Sequence, residues 1–129
     1  MRKHDRSLPL LAILAVLFLL FHAVPHALAD YDPGDYASAP RVSVKEAKRM
    51  PDDTKVILRG VIFQRIGKET YLFRDRTGRI RCEIDDDLLK NGKGSKNIVD
   101  PNATLELRGE VDRKGGKIWI DVDWFERIN

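Results

Sequence analysis

The sequence predicts an all-β domain, a five-stranded Greek-key barrel with one short helix before the first strand and another between strands three and four. From Lys55 onward apolar and polar residues alternate, which is typical of strands with one buried face. The first run, residues 55–66, is about twice the usual strand length of ~5 to 6 residues. Its central Gly60 suits a bent strand shared between two halves of a barrel. Gly115 and Gly116 mark a hairpin before the last run.

The first 29 residues have the pattern of a secretory signal peptide. A basic start is followed by an apolar stretch over residues 8–21, and Ala27-Leu28-Ala29 is a small-x-small cleavage site. The apolar stretch is shorter than the roughly 20 residues that a spanning helix needs. We therefore predict cleavage after Ala29, export to the periplasm and no stable membrane insertion afterwards. Residues 30–41, rich in Asp, Pro, Gly and Ala, are predicted to be a flexible lead-in to a domain over residues 42–129.

The predicted helices lie where capping and charge favour them. Ser43 and Glu46 fit a capping box, which predicts a helix over residues 44–49 that ends before Pro51. Three aspartates at 85–87, followed by two leucines, resemble the acidic first turn of a second helix. A polar loop over residues 91–102 should follow.

The remaining strands follow from alternation and turn residues. Strand two is predicted over residues 70–74, a turn over 75–78, strand three over 79–84 and strand four from Leu105. Strand five is predicted to place Ile118, Ile120, Val122 and Trp124 on one face, and Trp119, Asp121, Asp123 and Phe125 on the other. This order fits the OB-fold barrel. A small β-sandwich is the alternative, because alternation alone does not determine topology.

Composition excludes several classes of function. All three histidines lie in the leader, so the mature chain has no imidazole for a catalytic triad and none for a zinc site. Cys82 is the only thiol, which rules out an intramolecular disulfide. The leader carries three of the 23 basic residues and one of the 20 acidic ones, so the mature chain is close to neutral. We predict no enzymatic activity, no cofactor and no metal.

In combination, several motifs resemble the bacterial OB-fold family of YgiW- and YdeI-like stress-tolerance proteins. The resemblance covers residues 42–128, essentially the whole mature domain, and rests on Asp52-Asp53, Leu58-Arg59-Gly60-x-Ile62, Tyr71-x-Phe73-x-Asp75-x-Thr77-Gly78-x-Ile80, Ile84-Asp85 and Leu107-x-Gly109-Glu110-Val111-Asp112. It implies a small exported barrel that helps survival under oxidative, metal or envelope stress by binding rather than by catalysis. Cys82 and four arginines on strands two and three depart from the pattern expected of the family.

Two groups of side chains are candidate ligand contacts. Basic residues interleave with aromatic ones on strands two and three, as in OB domains that hold single strands: Tyr71, Phe73, Arg74, Arg76, Arg79 and Arg81. On strand five, Trp119 lies beside Asp121 and Asp123, a combination that grips sugars or peptides. The simpler interpretations are that the arginines pair with nearby acids and that Trp119 belongs to the core.

Two further features have a structural and a functional interpretation. The three aspartates at 85–87 could bind a hard cation with Asp121 or Asp123, but helix-start electrostatics explain them without an ion. Cys82 alternates with Ile80 and Ile84, which predicts an inert buried thiol rather than a redox sensor.

The sequence thus predicts a non-enzymatic periplasmic OB-fold module that supports envelope or oxidative stress tolerance. Its expected partner is an envelope protein, a cell-wall glycan or a small anionic ligand, and we expect a monomer or weak oligomer. The alternative is a single-stranded nucleic-acid-binding OB domain, which export and a near-neutral charge disfavour.

Overall fold

The computed structural model describes residues 33–91 and 97–129, so the predicted leader lies outside the described residues. Its helices and strands are a 3-10 turn at Pro33–Tyr36, α1 (Val44–Ala47), β1 (Lys55–Arg65), β2 (Thr70–Arg74), β3 (Arg79–Glu83), α2 (Asp86–Asn91), β4 (Leu105–Lys114) and β5 (Lys117–Arg127). Over these two ranges, no helix has the length and apolar character needed to cross a bilayer.

The five strands close into a barrel in the order β1-β2-β3-β5-β4, with β4 returning to β1. All neighbours are antiparallel except β3 and β5, which run parallel. This topology confirms the predicted five-stranded Greek-key OB fold and excludes the small β-sandwich.

β1 is shared by the two halves of the barrel, as predicted. Residues 55–60 pair with β4, and residues 61–65 pair with β2. The change of partner falls at Gly60, where an added Cβ would lie 2.2 Å from the Arg74 carbonyl oxygen. Only glycine lets the two backbones approach so closely, so Gly60 permits the bend that closes the barrel.

The predicted facing of β5 is correct only up to its bulge. Gly109 on β4 lies opposite Val122, but the adjacent Arg108 lies opposite Trp124, so Asp123 is an extra residue. Beyond it the alternation inverts. Phe125 is 2% exposed in the core and Trp124 lies on the outside, which is the reverse of the faces predicted from strict alternation.

α1 begins at the predicted capping box and is tied to the β2–β3 turn. Ser43 Oγ accepts from the Glu46 N–H, and Glu46 Oε1 accepts from the Ser43 N–H. Asp75 Oδ2 accepts from the Val44 N–H at 2.8 Å, while Asp75 Oδ1 accepts from the N–H groups of Thr77 and Gly78. One carboxylate therefore organises the turn and anchors the helix.

The described part of the predicted lead-in packs on the barrel. Tyr36 is 4% exposed, and its hydroxyl donates a hydrogen bond to Asp123. The Lys55 ammonium lies 5.6 Å from the centre of the Tyr36 ring and 3.6 Å from Asp35. Further on, the Val42 N–H donates to the Ile57 carbonyl, so this segment runs beside β1. From residue 33 onward, the segment that was predicted to be a flexible lead-in therefore contacts the barrel at several points.

The predictions for α2 and for the segment that follows it are confirmed only in part. The second helix forms where the aspartates predicted it, with Asp86 and Asp87 in its first turn. Of the predicted polar loop, residues 92–96 lie outside the described residues. Ile98, however, is 5% exposed and joins the core, and Val99 bridges to Ile62 on β1.

Candidate functional site

The outer surface of β2, β3 and the β4–β5 hairpin carries a row of cations, with Glu83 beside Arg81 and Asp112 opposite Trp119. Arg74 lies opposite Arg79, which shares its side of β3 with Arg81. Arg81 lies opposite Trp119 across the parallel ladder, and Lys114 faces Lys117 in the hairpin. We call this surface, together with the Phe63 ring, the basic face; its members are Phe63, Arg74, Arg79, Arg81, Lys114, Lys117 and Trp119.

Two of the arginines lie against aromatic rings. The Arg81 guanidinium is 5.2 Å from the centre of the Trp119 ring, and the Arg74 guanidinium is 5.1 Å from that of Phe63. Arg81 also donates to Glu83 at 3.0 Å. Stacking on Trp119 and the ion pair with Glu83 orient the Arg81 side chain. Arg74 packs on the Phe63 ring, which leaves its positive charge in place.

A recess of about 390 Å³ opens beside Trp119. It is lined by Arg81, Lys114, Gly115, Lys117 and Trp119, so we call it the Trp119 recess. Two donors on residues that line it, Arg81 Nε and Trp119 Nε1, are buried and have no acceptor among the residues that the structure describes. Because buried donors are normally paired, these two atoms mark a place where an acceptor would bind favourably.

A second recess of about 480 Å³ lies at the other end of the row, where β1 bends. Arg59, Arg74 and Arg76 line it beside Gly60 and Thr104. Arg59 donates a hydrogen bond to Glu106 at 2.8 Å, and Asp75 accepts hydrogen bonds within the β2–β3 turn. Arg74 and Arg76 therefore supply the accessible positive charge of this second recess.

Carboxylates border the basic face along β5. Asp121 lies opposite Glu110 on β4 and opposite Glu83 on β3. Burial and the carboxylates of Asp123, Glu83 and Asp112 raise the pKa of Asp121 to about 6. Positive and negative charges are thus concentrated on different strands, although residues 30–129 are nearly neutral in total.

Comparison with known proteins assigns the family. The family model described as bacterial OB fold (BOF) protein matches residues 23–127. The chain belongs to the bacterial OB fold family. This assignment confirms the family resemblance found in the sequence motifs.

Two relatives of this BOF chain are similar over different shares of their length. Protein YgiW of Escherichia coli K12 is 39% identical over 87 residues, which are 67% of this chain and 63% of YgiW. The calcium-regulated OB-fold protein CarO of Pseudomonas aeruginosa is 37% identical over 123 residues, 95% of this chain and 97% of CarO. The solved structure of E. coli YgiW superposes with a TM-score of 0.61 at 33% identity, covering 70% of this chain and 96% of that structure.

In this BOF barrel, Tyr71 and Phe73 do not belong to the candidate ligand surface. Tyr71 is 3% exposed and Phe73 is fully buried. Tyr71 pairs with Cys82 and Phe73 with Ile80, all of which point into the barrel. The prediction that these two rings flank the arginines was wrong, because residues 71 and 73 alternate with Arg74 and lie on the opposite side of the strand.

The other predicted contact residues are on the outside. Arg74, Arg76, Arg79, Asp121 and Asp123 are exposed, and Arg81 and Trp119 are partly exposed. The expected pairing of arginines with acids holds for Arg81 and Glu83, but Asp75 accepts from the β2–β3 turn and α1 instead. Asp123 accepts from Tyr36 and so helps to fasten the N-terminal segment.

Sequence reasoning missed three members of the basic face. Lys114 and Lys117 flank the glycine pair of the hairpin, and a search for charges beside that turn would have found them. Phe63 was missed because it lies at a bulge in β1, where the pairing skips from Ile62 to Gln64.

Cys82 and the aspartates at 85–87 have the structural roles that the sequence allowed for them. Cys82 is fully buried, and burial raises the pKa of its thiol to about 12, so little thiolate is available for redox chemistry. Within residues 33–91 and 97–129, no three acidic or thiol side chains converge in a way that could hold a metal ion.

Proposed function

We propose that this chain is an exported, non-catalytic BOF module that binds an anionic ligand on its basic face and thereby supports envelope stress tolerance. The observation that carries the proposal is the row of cations from Arg74 to Lys117, backed by two aromatic rings. Guanidinium groups bind carboxylates and phosphates through paired hydrogen bonds, so the surface suits a ligand that bears such groups.

Export is the second part of the proposal, and the leader supports it. A bacterial host that expresses the whole chain should release the protein by osmotic shock. N-terminal sequencing of that protein should begin at Asp30. Recovery of an unprocessed chain from the cytosol would contradict export.

Binding can be tested by retention on phosphocellulose and on a carboxylate resin. We expect the wild-type protein to be retained at low salt and to elute as salt rises, because each phosphate contact releases counterions. The double variant Arg79→Ser/Arg81→Ser should elute at clearly lower salt. The matched control Lys90→Ser/Arg127→Ser removes two exposed cations elsewhere and should behave nearly as wild type.

The outcome of the resin experiment separates the candidate functions. Equal elution of all three proteins would contradict binding on the basic face. Retention on an immobilised single-stranded oligonucleotide, but on neither resin, would support the nucleic-acid alternative instead.

A further inference from the structure

We infer that the Trp119 recess is an oxyanion site, which takes a carboxylate or phosphate group of the ligand. The inference rests on the proposed function and locates its most specific contact. The recess differs from the rest of the basic face because two residues that line it, Arg81 and Trp119, each carry a buried donor with no acceptor among the described residues.

The two unpaired donors carry the argument. A guanidinium Nε–H and an indole N–H can donate hydrogen bonds but cannot accept them. Both nitrogens are buried, and neither has an acceptor within the described part of the chain. Shielding a donor from water without a partner is unfavourable, so an oxygen that reaches both atoms would recover two hydrogen bonds.

The charge of the recess selects an anion. Three cationic side chains line it, those of Arg81, Lys114 and Lys117. Glu83 accepts from Arg81 Nη2, on the same edge of the guanidinium as Nε, and Asp112 lies opposite Trp119 on β4. These two carboxylates offset two of the three positive charges, which leaves one in excess. A neutral acceptor such as an amide would satisfy the donors but would not use this excess.

The same geometry disfavours a ligand that stacks on Trp119. The Arg81 guanidinium already covers one face of the indole ring at 5.2 Å from its centre. Gly115 leaves the hairpin side open, because a Cβ added there would have no neighbour within 4 Å. A compact group with two or three oxygens can therefore enter from the hairpin side.

A nuclear magnetic resonance titration tests the site. The whole chain is expressed in a bacterial host, purified as the host processes it, and titrated with sodium acetate and with inorganic phosphate at constant ionic strength. We expect the Trp119 indole N–H and Arg81 Nε–H resonances to shift along a saturable one-site curve with at least one probe. The probe that binds more tightly identifies the group that the recess prefers.

Conservative variants separate hydrogen bonding from charge and shape. Trp119→Phe keeps an aromatic ring and Arg81→Lys keeps the charge, but each removes one donor. Each should weaken binding of the preferred probe at least about fivefold, which is the loss of affinity expected for one hydrogen bond. The matched control Trp124→Phe changes the outward indole beside Arg108 and should leave the affinity unchanged.

Two results would overturn the inference in distinguishable ways. If the Trp119 and Arg81 resonances stay fixed while amides of Arg74 and Arg79 respond, the recess is not the site, but anion binding on the basic face stands. If no resonance of the basic face responds to either probe or to the phosphate resin, both the inference and the proposed function fail. Amide spectra of the variants that match wild type confirm that the fold is intact.

Discussion

At the scale of single residues, two glycines allow the barrel to close. A Cβ on Gly60 would lie 2.2 Å from the Arg74 carbonyl oxygen, and one on Gly109 would lie 2.3 Å from that of Asp121. Both obstacles are backbone atoms of a paired strand, which cannot move aside without breaking the ladder. The sequence indicated a special role for Gly60 from its place in a long strand, but it gave no such indication for Gly109.

Gly60→Ala should therefore destabilise the protein by about 2 to 3 kcal/mol, as overpacking does in a close-packed interior. Gly78→Ala is the matched control, because its added Cβ would meet Val44 at 3.7 Å, an ordinary contact. Urea unfolding of the two variants measures the difference. Equal midpoints for both variants would contradict this account of closure.

Asp121 carries an unfavourable charge in the folded state. Burial and neighbouring carboxylates raise its pKa from 3.8 to about 6, so the folded protein holds this proton more tightly than the unfolded chain does. Stability is therefore lost as pH rises through about 6. Below about 3.8 the carboxyl is protonated in both states and the penalty disappears.

Asp121→Asn should raise stability at pH 8 by about 0.5 kcal/mol, a small gain because solvent screens this exposed group. The gain should vanish at pH 3.5. Thermal unfolding at the two pH values measures it, with Asp87→Asn, a 92% exposed side chain on α2, as control. A pH-independent gain would show that the amide acts through packing instead of charge.

At the scale of elements, alternation predicts strands well but cannot locate bulges. Strand two was predicted with its observed bounds, and the capping box located α1. The faces of β5 inverted after Asp123, because one extra residue there has no signature in the polarity pattern. The docking of Tyr36 was also missed, since a single aromatic in a Pro- and Gly-rich segment has no periodicity to reveal its partner.

The link between α1 and the β2–β3 turn depends on Asp75. Burial alone would raise its pKa, but hydrogen bonds from the Thr77 hydroxyl and from the backbone of Val44, Thr77 and Gly78 lower it below the ordinary value. The ionised carboxylate is thus the form that the fold stabilises. Its contribution should be present above pH 3.8 and decline as pH falls further.

Asp75→Ala should lower the free energy of unfolding by about 2 kcal/mol at pH 7, since it leaves several backbone donors without an acceptor. The difference from wild type should shrink below pH 3. Urea denaturation across this pH range provides the measurement. A loss that stays constant with pH would mean that the ionised carboxylate is not what holds the turn.

At the scale of the whole molecule, cationic and anionic side chains are concentrated on different strands. Near-neutral composition argued against an anion-binding surface, yet the structure collects cations on β2, β3 and the hairpin and carboxylates along β5. Composition cannot predict this separation, because the parallel pairing of β3 with β5 brings Arg81 beside Trp119 from 38 positions away. The unpaired donors of the Trp119 recess likewise depend on tertiary packing.

The central claim is that this BOF barrel holds anions on one outer surface, and amide shift mapping with inorganic tripolyphosphate tests it most directly. We expect the perturbed amides to cluster at Arg74, Arg79, Arg81 and the hairpin from Lys114 to Trp119, and the amides of α2 to be unaffected. Perturbations centred elsewhere, or none at millimolar probe and low salt, would contradict it.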